Sequence, residues 1–164
     1  MKPSFALAVA IAAALALPVA ASAQDAPADH SQDAAWHNAQ SLALAKLRAA
    51  DGWRWLEGGV GFRYVNGDGS GGPRPTVQDQ VTVHYTGTLV DGTVFDSSVA
   101  RNEPATFPLG GLIKAWQQAI PLMAVGDRIE LAIPADQAYG PQGRGPIPGN
   151  ATLMFEIELL GIGG

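Results

Sequence analysis

No cysteine occurs anywhere in the 164 residues. That absence removes disulfide frameworks, thiol redox motifs, thiolate zinc sites and cysteine nucleophiles at a stroke, together with any lipid anchor carried on a cysteine. Cationic side chains are also scarce, with Lys+Arg 10 against Asp+Glu 15 and a formal net charge of -5. A protein that grips a polyphosphate concentrates Lys and Arg on one face, so nucleic acid is excluded as a partner. The three histidines, His30, His37 and His84, share no H-x-x-x-H or H-x-H spacing, so neither a metal nor any other cofactor is expected. A G-x-S-x-G elbow is missing too. Ser97 and Ser98 adjoin Asp96, but adjacency in sequence does not make a triad with His84. No apolar run reaches the roughly 20 residues needed to span a bilayer.

What is present starts with an address. Behind Met1 and Lys2, residues 5–17 form an uninterrupted apolar run, and Ala21-Ser22-Ala23 follows as a small-x-small cleavage signal. Residues 1–23 therefore read as a secretory signal peptide cleaved near Ala23, leaving an acidic, soluble protein, periplasmic or secreted, with no membrane anchor. Residues 24–31 are small and polar and suggest a flexible leader. Ser31 is a candidate N-cap for a helix over residues 32–50, with Trp36, Ala39, Ala43 and Leu47 on one face and Gly52 as the stop. The domain proper is expected from residue 59 to 164, after a leader and short amphipathic helix over 24–58.

Within that domain, Phe62, Tyr64 and Val65 open a strand that ends at Asn66-Gly67. Residues 67–72, Gly-Asp-Gly-Ser-Gly-Gly, match G-x-G-x-x-G, but they lead into Pro73-Arg74-Pro75 rather than into a helix, so the phosphate-loop reading fails and a surface turn is expected. The same stretch mimics a calcium loop, yet Val77 stands where the bidentate Glu is wanted. Val81, Val83 and Tyr85 alternate with Thr82 and His84 as a half-buried strand, and Asp91-Gly92 between two β-prone runs marks a hairpin, with Asp96 just beyond its return strand. Ile113, Trp116 and Ile120 are spaced for one face of a short helix that Pro121 helps to end. Two further alternating strands carry Ile129, Leu131 and Ile133, and Leu153, Phe155, Ile157 and Leu159. The Gly- and Pro-rich residues 134–150 between them, with Tyr139 inside, form a long candidate functional loop.

Tyr85, Phe95, Phe107, Trp116, Tyr139 and Phe155 lie at the edges of these elements. Together with the carboxylate of Asp96 and the two phenols, they have the composition of a small-ligand pocket, mostly apolar with a few orienting polar groups.

Seven segments, Val83-His84-Tyr85-Thr86-Gly87, Asp91-Gly92, Phe95-Asp96-Ser97-Ser98, Ile113-Lys114-Ala115-Trp116, Val125-Gly126-Asp127, Ala138-Tyr139-Gly140 and Ala151-Thr152-Leu153-Met154-Phe155-Glu156-Ile157-Glu158-Leu159-Leu160, follow one another in an order that resembles the FKBP-type peptidyl-prolyl cis/trans isomerases. The likeness runs from about residue 60 to 162. It implies an α+β fold, a half-open antiparallel β-sheet of about five strands wrapped around one short helix, here preceded by an N-terminal helical segment. It also implies isomerase activity that helps exported proteins fold, through Tyr85, Asp96, Trp116 and Tyr139 as catalytic groups. Phe95, Arg101, Phe107, Leu112, Ile113, Ile147 and Phe155 would bind substrate. Proline-containing unfolded or exported polypeptides are the implied clients and macrolide inhibitors the implied ligands. Ala105 after Arg101-Asn102-Glu103-Pro104, the short Gly110-Gly111-Leu112 segment and the loop tip Arg144-Gly145-Pro146 depart from the family pattern and bear on macrolide affinity and on the residue preferred before proline. Two alternatives stand beside this reading. The pocket could hold apolar client segments as a periplasmic chaperone whose isomerase activity is incidental. The N-terminal helix must bury its stripe on its own domain or on a second subunit, making the chain a monomer or a homodimer.

Overall fold

The structure is a computed structural model that describes residues 28–163; the expected signal peptide lies outside the described residues. Seven antiparallel strands form one sheet: β1 (Arg54–Trp55), β2 (Gly61–Asn66), β3 (Gln80–Leu89), β4 (Val94–Ser97), β5 (Ala105–Pro108), β6 (Arg128–Ile133) and β7 (Leu153–Gly163), in the order β1-β2-β6-β7-β3-β4, with β5 sharing the outer edge of β3 with β4. Among the described residues two α-helices accompany it, α1 (Ala34–Ala45) and α2 (Lys114–Ala119). The expected sheet around one short helix is found. The strands beyond the expected five are short segments such as β1 and β5, of two and four residues, too brief to show a period in sequence. Pairing of β1 with β2 places Arg54 and Trp55 in the sheet ahead of the domain boundary expected at residue 59.

Alternation along the central strands does what a period of two requires. Val81, Val83 and Tyr85 of β3, Ile129, Leu131 and Ile133 of β6, and Leu153, Phe155, Ile157 and Leu159 of β7 are buried on the concave face. That face closes on α2, whose Ala115, Trp116 and Ala119 are buried, and on Ile120. Ile113 caps α2 in extended backbone rather than lying within it, and Pro121 opens a 3-10 turn, Ile120–Leu122, where its missing N–H costs nothing.

The hairpin sits where Asp91-Gly92 placed it: Gly92 has φ +88, Leu89 N–H donates to Thr93 O at 2.9 Å, and the Asp91 carboxylate accepts from Thr93 N–H. Asp96, expected just beyond the return strand, instead lies inside β4 opposite Gly87. The register slips by one there, because Val94 faces Thr88 while Asp96 faces Gly87, leaving Phe95 as the extra residue of a β-bulge.

At the N-terminus, Asp33 rather than Ser31 caps α1, accepting from Trp36 N–H at 3.0 Å, and the helix stops at Ala45 instead of continuing to residue 50. Ala39, expected on the buried stripe, is exposed, and the buried residue of α1 is Gln40. A short 3-10 turn, Ala49–Asp51, follows, and Gly52 ends it at φ +86. Residues 67–72 form a surface turn, as expected. It is nonetheless anchored: Asp127 accepts from Gly69 N–H at 2.8 Å and from Ala124 N–H at 2.9 Å, and Arg74 donates to Gly69 O at 2.7 Å.

Candidate functional site

Three walls meet at the concave face. The floor is Trp116 on α2, whose ring stands edge-on to Tyr85 (centroids 5.4 Å apart) and to Phe155 (5.2 Å). Phe107 of β5 closes one side at 6.2 Å from Tyr85, and Phe95 of β4 packs edge-on to Phe155 at 5.5 Å. Edge-to-face contacts of this kind suit the ring quadrupoles and hold the floor rigid. Gly87 makes the wall possible. A Cβ there would lie 2.4 Å from the Phe95 ring and 2.7 Å from the Phe155 ring.

The bulge has a chemical consequence. Neighbouring strand residues normally point to opposite faces, yet Phe95 stacks in the pocket wall while Asp96 reaches Tyr85 beneath it. Asp96 is buried, and both its oxygens are engaged: the Tyr85 hydroxyl donates to Oδ2, and Arg101 pairs with Oδ1 while also donating to the Tyr85 hydroxyl at 3.3 Å. A buried carboxylate persists only when paired and hydrogen-bonded. Arg101, partly exposed, supplies the charge that neutralises it.

Tyr85 is pushed up to about 12, first by burial and then by its hydrogen bond to Asp96. Tyr139 is likewise pushed up to about 12, chiefly by burial, with the nearby Arg144 opposing and the Asp96 charge adding to the rise. Both phenols therefore keep their protons at neutral pH and can only donate or accept hydrogen bonds as neutral groups. Arg144 lies over the Tyr139 ring at 5.9 Å from its centroid.

The residues singled out from sequence divide by depth. Tyr85, Asp96, Phe107, Trp116 and Phe155 form the buried floor, while Phe95, Arg101, Ile113 and Tyr139 are partly exposed at the rim. Leu112 and Ile147 are buried in the same core, with Ile147 only 1% exposed. Residues 134–150 are not structureless: 3-10 turns Ala135–Gln137 and Gly140–Gln142 flank Tyr139, and Arg144 and Ile147 exchange both backbone hydrogen bonds at 2.9 Å around Gly145-Pro146.

Ser98 and His84 do meet, at 3.0 Å between the hydroxyl and Nδ1. Ser98 is fully buried, however, its hydroxyl accepting from Tyr85 N–H at 2.8 Å and its own N–H donating to Tyr85 O at 3.0 Å. It pins the segment after β4 to Tyr85 and is no nucleophile. Sequence reasoning assigned Ser98 and Gly87 nothing in the pocket itself. A glycine inside a strand pattern was the available signal for close approach; nothing marked Ser98.

Residues 72–160 match the family described as FKBP-type peptidyl-prolyl cis-trans isomerase. The chain is 53% identical over 114 residues to an FKBP-type 22 kDa peptidyl-prolyl cis-trans isomerase of Escherichia coli, covering 68% of this chain and 54% of that protein. It is 50% identical over 97 residues to FK506-binding protein 1A of Aspergillus fumigatus, covering 57% of this chain and 87% of that protein. The crystal structure of FkpA from Escherichia coli superposes with a TM-score of 0.71 at 35% identity, over 82% of this chain and 61% of that one. The chain thus spans about half the length of several bacterial relatives that it matches.

Proposed function

From a chain that belongs to the FKBP-type peptidyl-prolyl cis-trans isomerase family, we propose an enzyme that rotates X-Pro bonds in unfolded polypeptides outside the cytoplasm. The observation that carries this reading is the Trp116 floor ringed by Tyr85, Phe107 and Phe155, with the pocket's carboxylate, Asp96, already paired to Arg101.

Peptide-bond rotation meets a barrier of about 18–20 kcal/mol because amide resonance must be broken, and X-Pro bonds alone populate both isomers appreciably. No bond is made or cleaved, so a nucleophile or cofactor has no part to play. A planar amide is more polar than a twisted one. An apolar cup therefore favours the twisted form over the planar one. In this scheme the proline ring stacks on Trp116, and the neutral Tyr139 hydroxyl donates to the substrate carbonyl. Asp96 keeps Tyr85 oriented and places a negative field beside the rotating amide. Neutral phenols suit these roles, since a phenolate would lose its donor and place a second charge in the cup.

Uncatalysed isomerisation takes about 10–100 s at room temperature, slow enough to limit folding of exported chains. The apolar run and cleavage triplet of residues 1–23 support that location, and among the described residues no helix is long and apolar enough to cross a membrane. Docking of Gln40 of α1 against Thr152 of the same chain supports a helix folded back on its own domain rather than one reserved for a second subunit. The direct test follows cis-to-trans relaxation of a short X-Pro peptide with wild type, Asp96→Ala and Trp116→Ala. Accelerated relaxation with wild type, lost in both folded variants, is expected. A folded wild type that leaves the relaxation time unchanged overturns the reading.

A further inference from the structure

We propose that α1 is a clamp on the loop that carries Tyr139, and that Gln40 is its positioning residue, acting on the isomerase site without touching substrate. The proposal rests on the isomerase reading only for its activity readout.

Gln40 is the one buried residue of α1, at 5% exposure. Burying a glutamine is costly unless its amide groups are bonded, and here the carbonyl half alone is satisfied. Its side-chain oxygen accepts from the Thr152 N–H at 2.8 Å, and the Thr152 hydroxyl returns a longer bond, 3.4 Å, to the Gln40 backbone carbonyl. Thr152 is itself buried, and stands between the end of the long loop and the first residue of β7. Two residues earlier Asn150, at φ +59, donates its N–H to Gly140 O at 2.9 Å, tying the loop's exit to the residue directly after Tyr139. A continuous chain of hydrogen bonds and backbone therefore runs from α1 through Thr152, Asn150 and Gly140 to Tyr139.

A second set of observations points the same way. Residues 28–31, ahead of α1, face Pro141, Gln142, Gly149 and Asn150 across a cavity of about 160 Å³, so the arm lies beside the turn after Tyr139 and beside the loop's exit. Trp36, one helical turn before Gln40, packs against the domain core and stacks on His30 with centroids 4.1 Å apart. The arm thus borders the loop that carries Tyr139 and is bonded at its exit. An arm that served only to add stability could bury apolar side chains anywhere on the domain. This one spends its single buried position on a hydrogen bond to the segment between the loop and β7.

Full-length Gln40→Leu and Gln40→Glu are compared with wild type, well below their melting temperatures. Leucine removes the acceptor for Thr152 N–H, whereas glutamate keeps an acceptor oxygen there in either protonation state. The Gln40 amide nitrogen, buried with no partner among the described residues, is not what the contact uses. Misplacing a contact group by about 1 Å can cost up to about a hundredfold, so a loop loosened at its base is expected to lower kcat/KM on an X-Pro peptide roughly three- to tenfold in Gln40→Leu. Amide exchange should accelerate over residues 138–142 and 150–152 but not in β3, and Gln40→Glu should return both readings to within about twofold of wild type. Gln40→Ala substitutes if the leucine variant does not fold. A variant that melts earlier but keeps wild-type kcat/KM and wild-type loop exchange overturns the clamp. If wild type itself fails to act on X-Pro peptides, the isomerase reading falls and loop exchange alone decides the clamp.

Discussion

The two faces of the sheet are built from the same strands and carry their charges under opposite conditions. On the convex face Arg63 pairs with Glu130, and Arg128 with Glu156 at 3.3 Å and Glu158 at 3.0 Å, every partner about one third to one half exposed. On the concave face Arg101 pairs with Asp96, whose side chain is only 4% exposed and which also holds Tyr85. Water and ions screen the first set, so each member is replaceable. The second is surrounded by aromatic rings, and removing one partner strands the others. Charge in this protein is decoration outside and architecture inside.

Trp116→Ala should break the inner face most severely, costing about 3–5 kcal/mol for a buried tryptophan truncated to a cavity. Urea denaturation measures it, and a loss below 1 kcal/mol would mean that the floor is not the centre of the core. Asp96→Ala comes next. With Arg101 partly exposed and able to reach water, a cost of about 1–3 kcal/mol is expected from the donors left unpaired, alongside at least a tenfold loss of peptide isomerisation; full activity in that variant would remove Asp96 from the site. Gly87→Ala drives a methyl group into two rings and should cost about 1–3 kcal/mol by overpacking, read as a shift in the denaturation midpoint.

The phenols sharpen the contrast without mutation. Because Tyr85 and Tyr139 are raised from 10.0 to about 12, they favour the folded state as neutral groups. That contribution is fully present below pH 10, where the unfolded chain also keeps its protons, and is lost as pH climbs from about 10 to about 12. Tyr64, whose hydroxyl donates to Leu122 O at 2.6 Å, is raised as well, mainly by burial. Absorbance at 295 nm should therefore show Tyr85 and Tyr139 ionising near pH 12 rather than pH 10 while the chain stays folded, and a full three-tyrosine step at pH 10 would contradict their burial. The smallest effect belongs to the outer face: Arg128→Ala should change stability by less than about 1 kcal/mol and leave isomerisation unchanged.

Much of this was legible in the chain. Strand periodicity placed Tyr85 and Phe155 inward, helical spacing placed Trp116 under them, and Asp-Gly marked the hairpin correctly. The misreadings share a cause. Ending the β-prone return run at Phe95 put Asp96 outside the strand, because its pairing with Gly87 is a relation between two strands that β4 has no feature of its own to announce. The apolar stripe assumed for the N-terminal helix missed Gln40, because a polar residue reads as solvent-facing until the backbone donor it satisfies, 112 residues away, is known.

Local stereochemistry alone was enough to settle which faces are apolar, where the chain turns and which aromatics share the concave side, since side-chain direction along a strand or helix follows from the backbone period. Only the tertiary structure decided that a bulge turns Phe95 and Asp96 toward one pocket, that Arg101 neutralises Asp96, and that α1 grips the stem of the Tyr139 loop. Those depend on register and contact between segments far apart in the chain, and neither is encoded in any one segment's own pattern.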